Sequence, residues 1–100
     1  MRQVESARQS GLPTVVEFGS EACASCRTMQ RVMAGVARKA EGRAQVLVMD
    51  ILKQDGLIGA YRIKMMPTQV FFDAAGRETG RHMGVLTEAE VLARLQVKEP

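Results

Sequence analysis

The 100-residue chain has no tryptophan, one tyrosine, three phenylalanines, one histidine and only two cysteines. Each scarcity removes a class. Two cysteines cannot form the dense disulfide framework by which small secreted domains replace a core. Few aromatics and no basic block argue against nucleic-acid binding. No apolar run approaches the roughly 18–20 residues that cross a bilayer, so no membrane insertion is expected. The opening MRQVESARQSGLP is polar throughout and lacks the apolar centre of an export signal. As it stands the chain reads as cytoplasmic. A periplasmic protein already relieved of its signal would read the same, so the compartment stays open. Repeats, low-complexity tracts and linker-like composition are also lacking, which leaves one domain over residues 1–100, with 1–11 as an N-terminal helix or arm.

What remains is ordinary globular composition: 46% hydrophobic and 25% charged residues, with a mildly basic net charge of +3. One hundred residues suffice for a core without staples. TVVEFG at 14–19 reads as a buried strand interrupted by Glu17. From Ala24 to about Ala40, apolar residues recur at Met29, Val32, Met33, Val36, Ala37 and Ala40, which is helical spacing. Gly42 is placed to end that helix. AQVLVMDI at 44–51 and TQVFFDA at 68–74 are further apolar runs, with a weakly helical 54–62 between them. AAGRE at 74–78 predicts a hairpin turn, followed by a short strand through 81–83. Thr87 and Glu90 form a capping box opening a last helix, with Val91, Leu92 and Leu95 facing inward. The order is β-α-β-α-β-β-α. Continuous apolar strands separated by helices predict parallel pairing with both sheet faces covered, and the hairpin adds an antiparallel edge.

Cys23-Ala24-Ser25-Cys26 falls where the first strand gives way to the helical pattern. The thiolate is the reactive form of cysteine, and the N–H groups and dipole at a helix N-terminus stabilise negative charge. Cys23 at the helix start is the candidate attacking thiol. Cys26, one turn inside on the same face, is the candidate resolving thiol and can close a disulfide with it. Rival readings are two small buried hydrophobes in one helical turn, or a two-thiolate shuttle for copper or mercury. Zinc needs four ligands, or three and an open position. The chain offers two thiols and a distant His82, so no resident metal is expected. A CxxC within a βαβ pattern favours redox chemistry.

With these motifs the chain resembles the thioredoxin superfamily over about residues 12–97. PTVVEFGSEACASC looks like the family's first core strand and active-site turn. YRIKMMPTQVFF at 61–72 is similar to its cis-proline segment, and GRETGRHMGVLTEAEVLARL to its closing hairpin and helix, with Gly84 at the family's glycine. The resemblance implies an α/β thioredoxin fold: a central mixed sheet of four to five strands flanked by helices. It implies a protein thiol–disulfide oxidoreductase whose catalytic residues are Cys23, Cys26 and Glu17. Ala22, Ala24, Ser25, Met66, Pro67, Thr68 and Gly84 would contact the substrate. Pro67 would pack against the disulfide, and the Met66 backbone would pair with an extended substrate. A trans proline merely starting a strand is the alternative at Pro67. The redox-active pair Cys23–Cys26 itself serves as the prosthetic group, with no other cofactor. Partners would be protein disulfides and an upstream thiol reductase or membrane thiol transporter, with the protein a monomer.

Departures from the family pattern carry information too. The usual tryptophan before the first cysteine is Ala22, and the usual Gly-Pro between the cysteines is Ala24-Ser25. Glu17 stands where the family has a buried Asp, and a carboxylate reaching solvent is the alternative. Val48 replaces a lysine near that acid, and Arg31 a helix-kinking proline. These changes place the chain outside the thioredoxins proper, and it looks more like the bacterial thioredoxin-like reductases, some of them exported and fed by membrane thiol transporters. His82 reads as a strand residue rather than a base, Met29 and Met33 as core, and Met66 as part of the substrate platform. A binding module with a structural disulfide, or an oxidase or isomerase, remain the alternatives to a reductase.

Overall fold

The computed structural model describes residues 2–97. Its elements are α1 (Arg2–Arg8), β1 (Thr14–Gly19), α2 (Ala24–Lys39), β2 (Gln45–Asp50), α3 (Leu57–Tyr61), β3 (Thr68–Phe72), β4 (Glu78–Met83) and α4 (Glu88–Leu95). The sequence predicts this order. The leading helix stops at Arg8 rather than running to residue 11, and the sheet has four strands, in the order β2-β1-β3-β4. No helix among the described residues is long and apolar enough to cross a membrane.

β1 is one of the two interior strands, with β3, and all six of its residues are buried. It pairs in parallel with β2 but antiparallel with β3, and β3 pairs antiparallel with β4. The expectation that the three apolar runs lie parallel therefore fails at β3. A parallel return needs a crossover that carries the chain back along the full strand length. The helix of the 51–67 connection, α3, has only five residues, or about 7 Å of rise. The chain re-enters the sheet at the end where it left: Thr68, the first residue of β3, pairs with Phe18 near the end of β1. β2 is likewise less covered than its apolar run suggests, because it is an edge strand with Val48 46% exposed.

Two-residue alternation along the strands sorts the core into two faces. Val16 and Phe18 of β1 with Val70 and Phe72 of β3 pack on the face of α1 and α3, with Val4, Leu57 and Tyr61. Val15 and Phe71 pack on the other face, against Met29, Met33 and Val36 of α2 and Val91, Leu92 and Leu95 of α4. Met29 and Met33 are thus core, as their spacing predicts. Glu17 and Gln69 share the strand parity of Val15 and Phe71, so both lie on the α2 side of the sheet. The Thr87–Glu90 capping box is complete: the Thr87 hydroxyl accepts the Glu90 N–H, and the Glu90 carboxylate accepts the Thr87 N–H. At the other end of the sheet, α1 docks through the Arg8 guanidinium, 4.5 Å over the Phe72 ring, with its Nε donating to the Gly76 carbonyl.

Candidate active site

The strand-to-helix junction at the C-terminal end of β1 carries both thiols. Cys23 is the N-cap of α2, in extended conformation (φ −110°, ψ 126°). N-cap residues are usually Ser, Thr, Asp or Asn, whose oxygen accepts an orphan helix N–H. Here the Cys23 sulfur does so, accepting the Cys26 backbone N–H at 3.3 Å, and the Ser25 hydroxyl lies another 3.3 Å away. Both cysteines are free thiols; Cys23 is partly exposed and Cys26 is buried.

Position alone splits the two in acidity. The Cys23 thiol is lowered to about 7 by the Cys26 thiol, then by the Ser25 hydroxyl and the Cys26 N–H, all of which stabilise its thiolate. Burial pushes the Cys26 thiol up to about 11, and the neighbouring Cys23 adds to the rise. One sulfur is ready to attack near neutrality. The other has to be deprotonated before it can act.

Glu17 lies beneath the pair. It is fully buried, and the reading of Glu17 as a carboxylate reaching solvent fails. Desolvation raises its pKa to about 7, opposed by a hydrogen bond from Gln69 and assisted by the charge of Cys23. Gln69 Nε2 donates to Glu17 Oε1 at 2.8 Å, while Glu17 Oε2 has no partner among the described residues. A Cβ added to Gly19 would stand 3.0 Å from Cys26 Sγ and 3.1 Å from Glu17 Oε2. The free oxygen and the buried sulfur therefore both lie against one point and are at most about 6 Å apart, within reach of each other directly or through one water molecule. A carboxyl group near neutrality beside a thiol that must lose a proton is the arrangement of a general base.

Across from the thiols' strand, Met66–Pro67 is a cis peptide. The Pro67 ring is buried, and its carbonyl accepts the N–H of Gly84 at 2.8 Å. Gly84 has φ +108°, where a residue with a Cβ is strained. Thr68 is 1% exposed and its hydroxyl donates to the Met65 carbonyl at 2.7 Å, so its side chain faces inward. Met66 is half-buried against the α3-side core, and Ala22 and Ala24 are exposed on either side of Cys23. His82 is a β4 strand residue, in register with Gln69. Among the described residues no group of three or more His, Cys, Asp or Glu is placed to hold a metal ion.

Gln69 and Gly19 are the site residues that sequence reasoning misses. Gln69 had one signal, an amide in the middle of an otherwise apolar strand. Gly19 had none, because its importance is the space it leaves.

A family model described as thioredoxin matches residues 3–97. The chain belongs to the thioredoxin family. It is 29% identical over 68 residues to the thioredoxin of Rickettsia bellii, an alignment covering 68% of this chain and 65% of that protein. To thioredoxin-1 of Drosophila melanogaster it is 35% identical over 57 residues, covering 57% of this chain and 53% of the relative. The chain thus spans less than two thirds of the length of these relatives in alignment. In fold it is similar to chloroplastic thioredoxin z, with a TM-score of 0.81 at 24% identity, over 95% of this chain and 86% of that structure. The matched relatives are thioredoxins by name.

Proposed function

We propose that the protein is a thiol–disulfide oxidoreductase that reduces protein disulfides through Cys23 and Cys26. The observation that carries this reading is the opposed state of the two thiols: a partly exposed, acidic Cys23 capping α2, and a buried, weakly acidic Cys26 one turn inside. The Cys23 thiolate attacks one sulfur of a substrate disulfide. A Cys23–substrate bond forms, the substrate S–S bond breaks, and the first substrate thiolate leaves and takes a proton. Glu17 Oε2 then takes the Cys26 proton, directly or through water. The Cys26 thiolate attacks Cys23 Sγ, forming the Cys23–Cys26 disulfide and releasing the second substrate thiol. Two electrons pass from the dithiol to the substrate, and no other group has to carry them.

Substrate binding is read onto Ala22, Ala24, Met66, Pro67, Thr68 and Gly84, with an extended chain pairing to the Met66 backbone. Because the Pro67 carbonyl is engaged by Gly84 and proline has no N–H, the free main-chain groups there belong to Met66. The partners are then protein disulfides and a donor that restores the dithiol, a thiol reductase in the cytoplasm or a membrane thiol transporter in the periplasm. Insulin reduction with dithiothreitol tests the reading. Acceleration over reductant alone is expected, and its absence would leave a binding module. Cys26→Ser should accumulate mixed disulfides, and Cys23→Ser none.

A further inference from the structure

Gln69 is a fully buried amide in a strand otherwise made of Thr, Val and Phe. An amide so placed costs free energy unless it is hydrogen-bonded. Its Nε2 has two acceptors, Glu17 Oε1 at 2.8 Å and the Gly84 carbonyl at 2.9 Å. A carboxylate and a carbonyl only accept, so the orientation of the amide is fixed by its partners, nitrogen toward both. The pairing is built into the sheet: Glu17 and Gln69 are direct partners in the β1–β3 register, on one face. The same amide ties the acid to the Gly84 turn, whose N–H holds the Pro67 carbonyl.

We propose that Gln69 is a positioning residue for resolution by Cys26: it clamps Glu17 by Oε1 and turns Oε2, the oxygen without a partner, toward the Cys26 sulfur. The inference rests on the disulfide-exchange reading above and adds the group that aims its base. A neutral donor suits the task. It favours the carboxylate without supplying a counter-charge that would hold the acid permanently ionised and weaken it as a base. The other groups about Glu17 offer no substitute. β2 brings Val48 alongside in register, the junction and α2 bring the titratable Cys23 and Cys26, and β4 places His82 beyond Gln69, near Glu90 of α4.

Gln69→Met keeps the length of the side chain and removes the donor. Loss of a hydrogen bond to the charged form should move the Glu17 carboxyl titration, followed by carbon NMR, upward by about one unit. The pH profile of the resolving step should move the same way, so that single-turnover resolution at pH 6.5 slows about threefold to tenfold. Attack by Cys23 should keep its rate. In a Glu17→Gln background, Gln69→Met should cause no further shift in that profile. An unmoved carboxyl titration and an unmoved profile would overturn the proposal. Should Gln69→Met not fold, the wild-type protein in its disulfide form, where no thiol titrates, supplies the test. The Gln69 side-chain amide signals should follow the Glu17 carboxyl with a common midpoint, and amide signals flat across that titration would overturn the proposal. Failure of the wild-type protein to reduce insulin would instead sink the oxidoreductase reading, which these NMR titrations do not depend on.

Discussion

The Ser25 hydroxyl lies 3.3 Å from the Cys23 sulfur, inside the four-residue motif. A thiolate is an acceptor only, so once Cys23 ionises the hydroxyl must be the donor. Ser25 follows the Cys26 thiol as the second contributor to the lowered pKa of Cys23. Ser25→Ala should therefore raise it and, at pH 6.5, slow alkylation of Cys23 about twofold to threefold. The difference should fade above pH 9, where both proteins are fully ionised at Cys23. A rate difference that persists at high pH would indicate a change of access rather than of acidity.

The split between the two thiols gives a broader test. With Cys23 near 7 and Cys26 near 11, iodoacetamide at pH 7 should label Cys23 at least about a hundredfold faster, since only thiolate reacts. Mass spectrometry of the reduced, briefly alkylated protein would read the site directly. Comparable labelling of the two cysteines would contradict the placement of Cys26 in the core.

Much of this site could be read from the chain, and the boundary of what could not is physical. The Cys23–Cys26 spacing at a strand-to-helix junction, the capping box at Thr87 and the core methionines all follow from local periodicity, which reports on one element at a time. Gln69 requires the register between β1 and β3, and that register requires knowing that β3 runs antiparallel to β1. Local apolar content is the same for a buried parallel or antiparallel strand, so the sequence pattern predicts the wrong direction. The same blindness to neighbours makes β2 look as buried as β1, although it is an edge strand.

Burial of Glu17 links the site to stability. Its folded pKa of about 7 lies above the ordinary 4.5, so the folded state binds the proton more tightly. The favourable contribution is fully present below pH 4.5 and is lost as pH rises through 7. Glu17→Gln removes this dependence. The variant should gain stability over the wild type progressively between pH 4.5 and 7, reaching about 3 kcal/mol at pH 8. Urea unfolding of both reduced proteins across pH 4–8 measures it, and parallel stability curves would mean that Glu17 titrates as a solvated group. The same substitution should slow resolution while leaving attack by Cys23 intact, so stability and turnover part company at this residue.

Gly19 offers the sharpest separation of the two chemical steps. Its backbone needs no left-handed conformation, and alanine suits a strand better than glycine, so Gly19→Ala should fold. The new methyl group would stand 3.0 Å from Cys26 Sγ, 3.1 Å from Glu17 Oε2 and 3.2 Å from Cys26 Cβ. Each of these is closer than a comfortable van der Waals contact, so the Glu17 carboxylate and the Cys26 side chain must both give by a few tenths of an ångström, and the methyl group takes up space between strand and thiol. Proton transfer from Cys26 to Glu17, direct or through water, depends on the placement of these two groups, whereas Cys23 meets its substrate on the exposed side of the junction. The variant should therefore attack disulfides at the wild-type rate but resolve them about tenfold or more slowly, consistent with the contribution of a positioned general base. Rapid-quench trapping of the mixed disulfide would show it accumulating in Gly19→Ala with Cys26 intact. Resolution at the wild-type rate in a folded Gly19→Ala protein would mean that Cys26 loses its proton by a route that avoids Glu17.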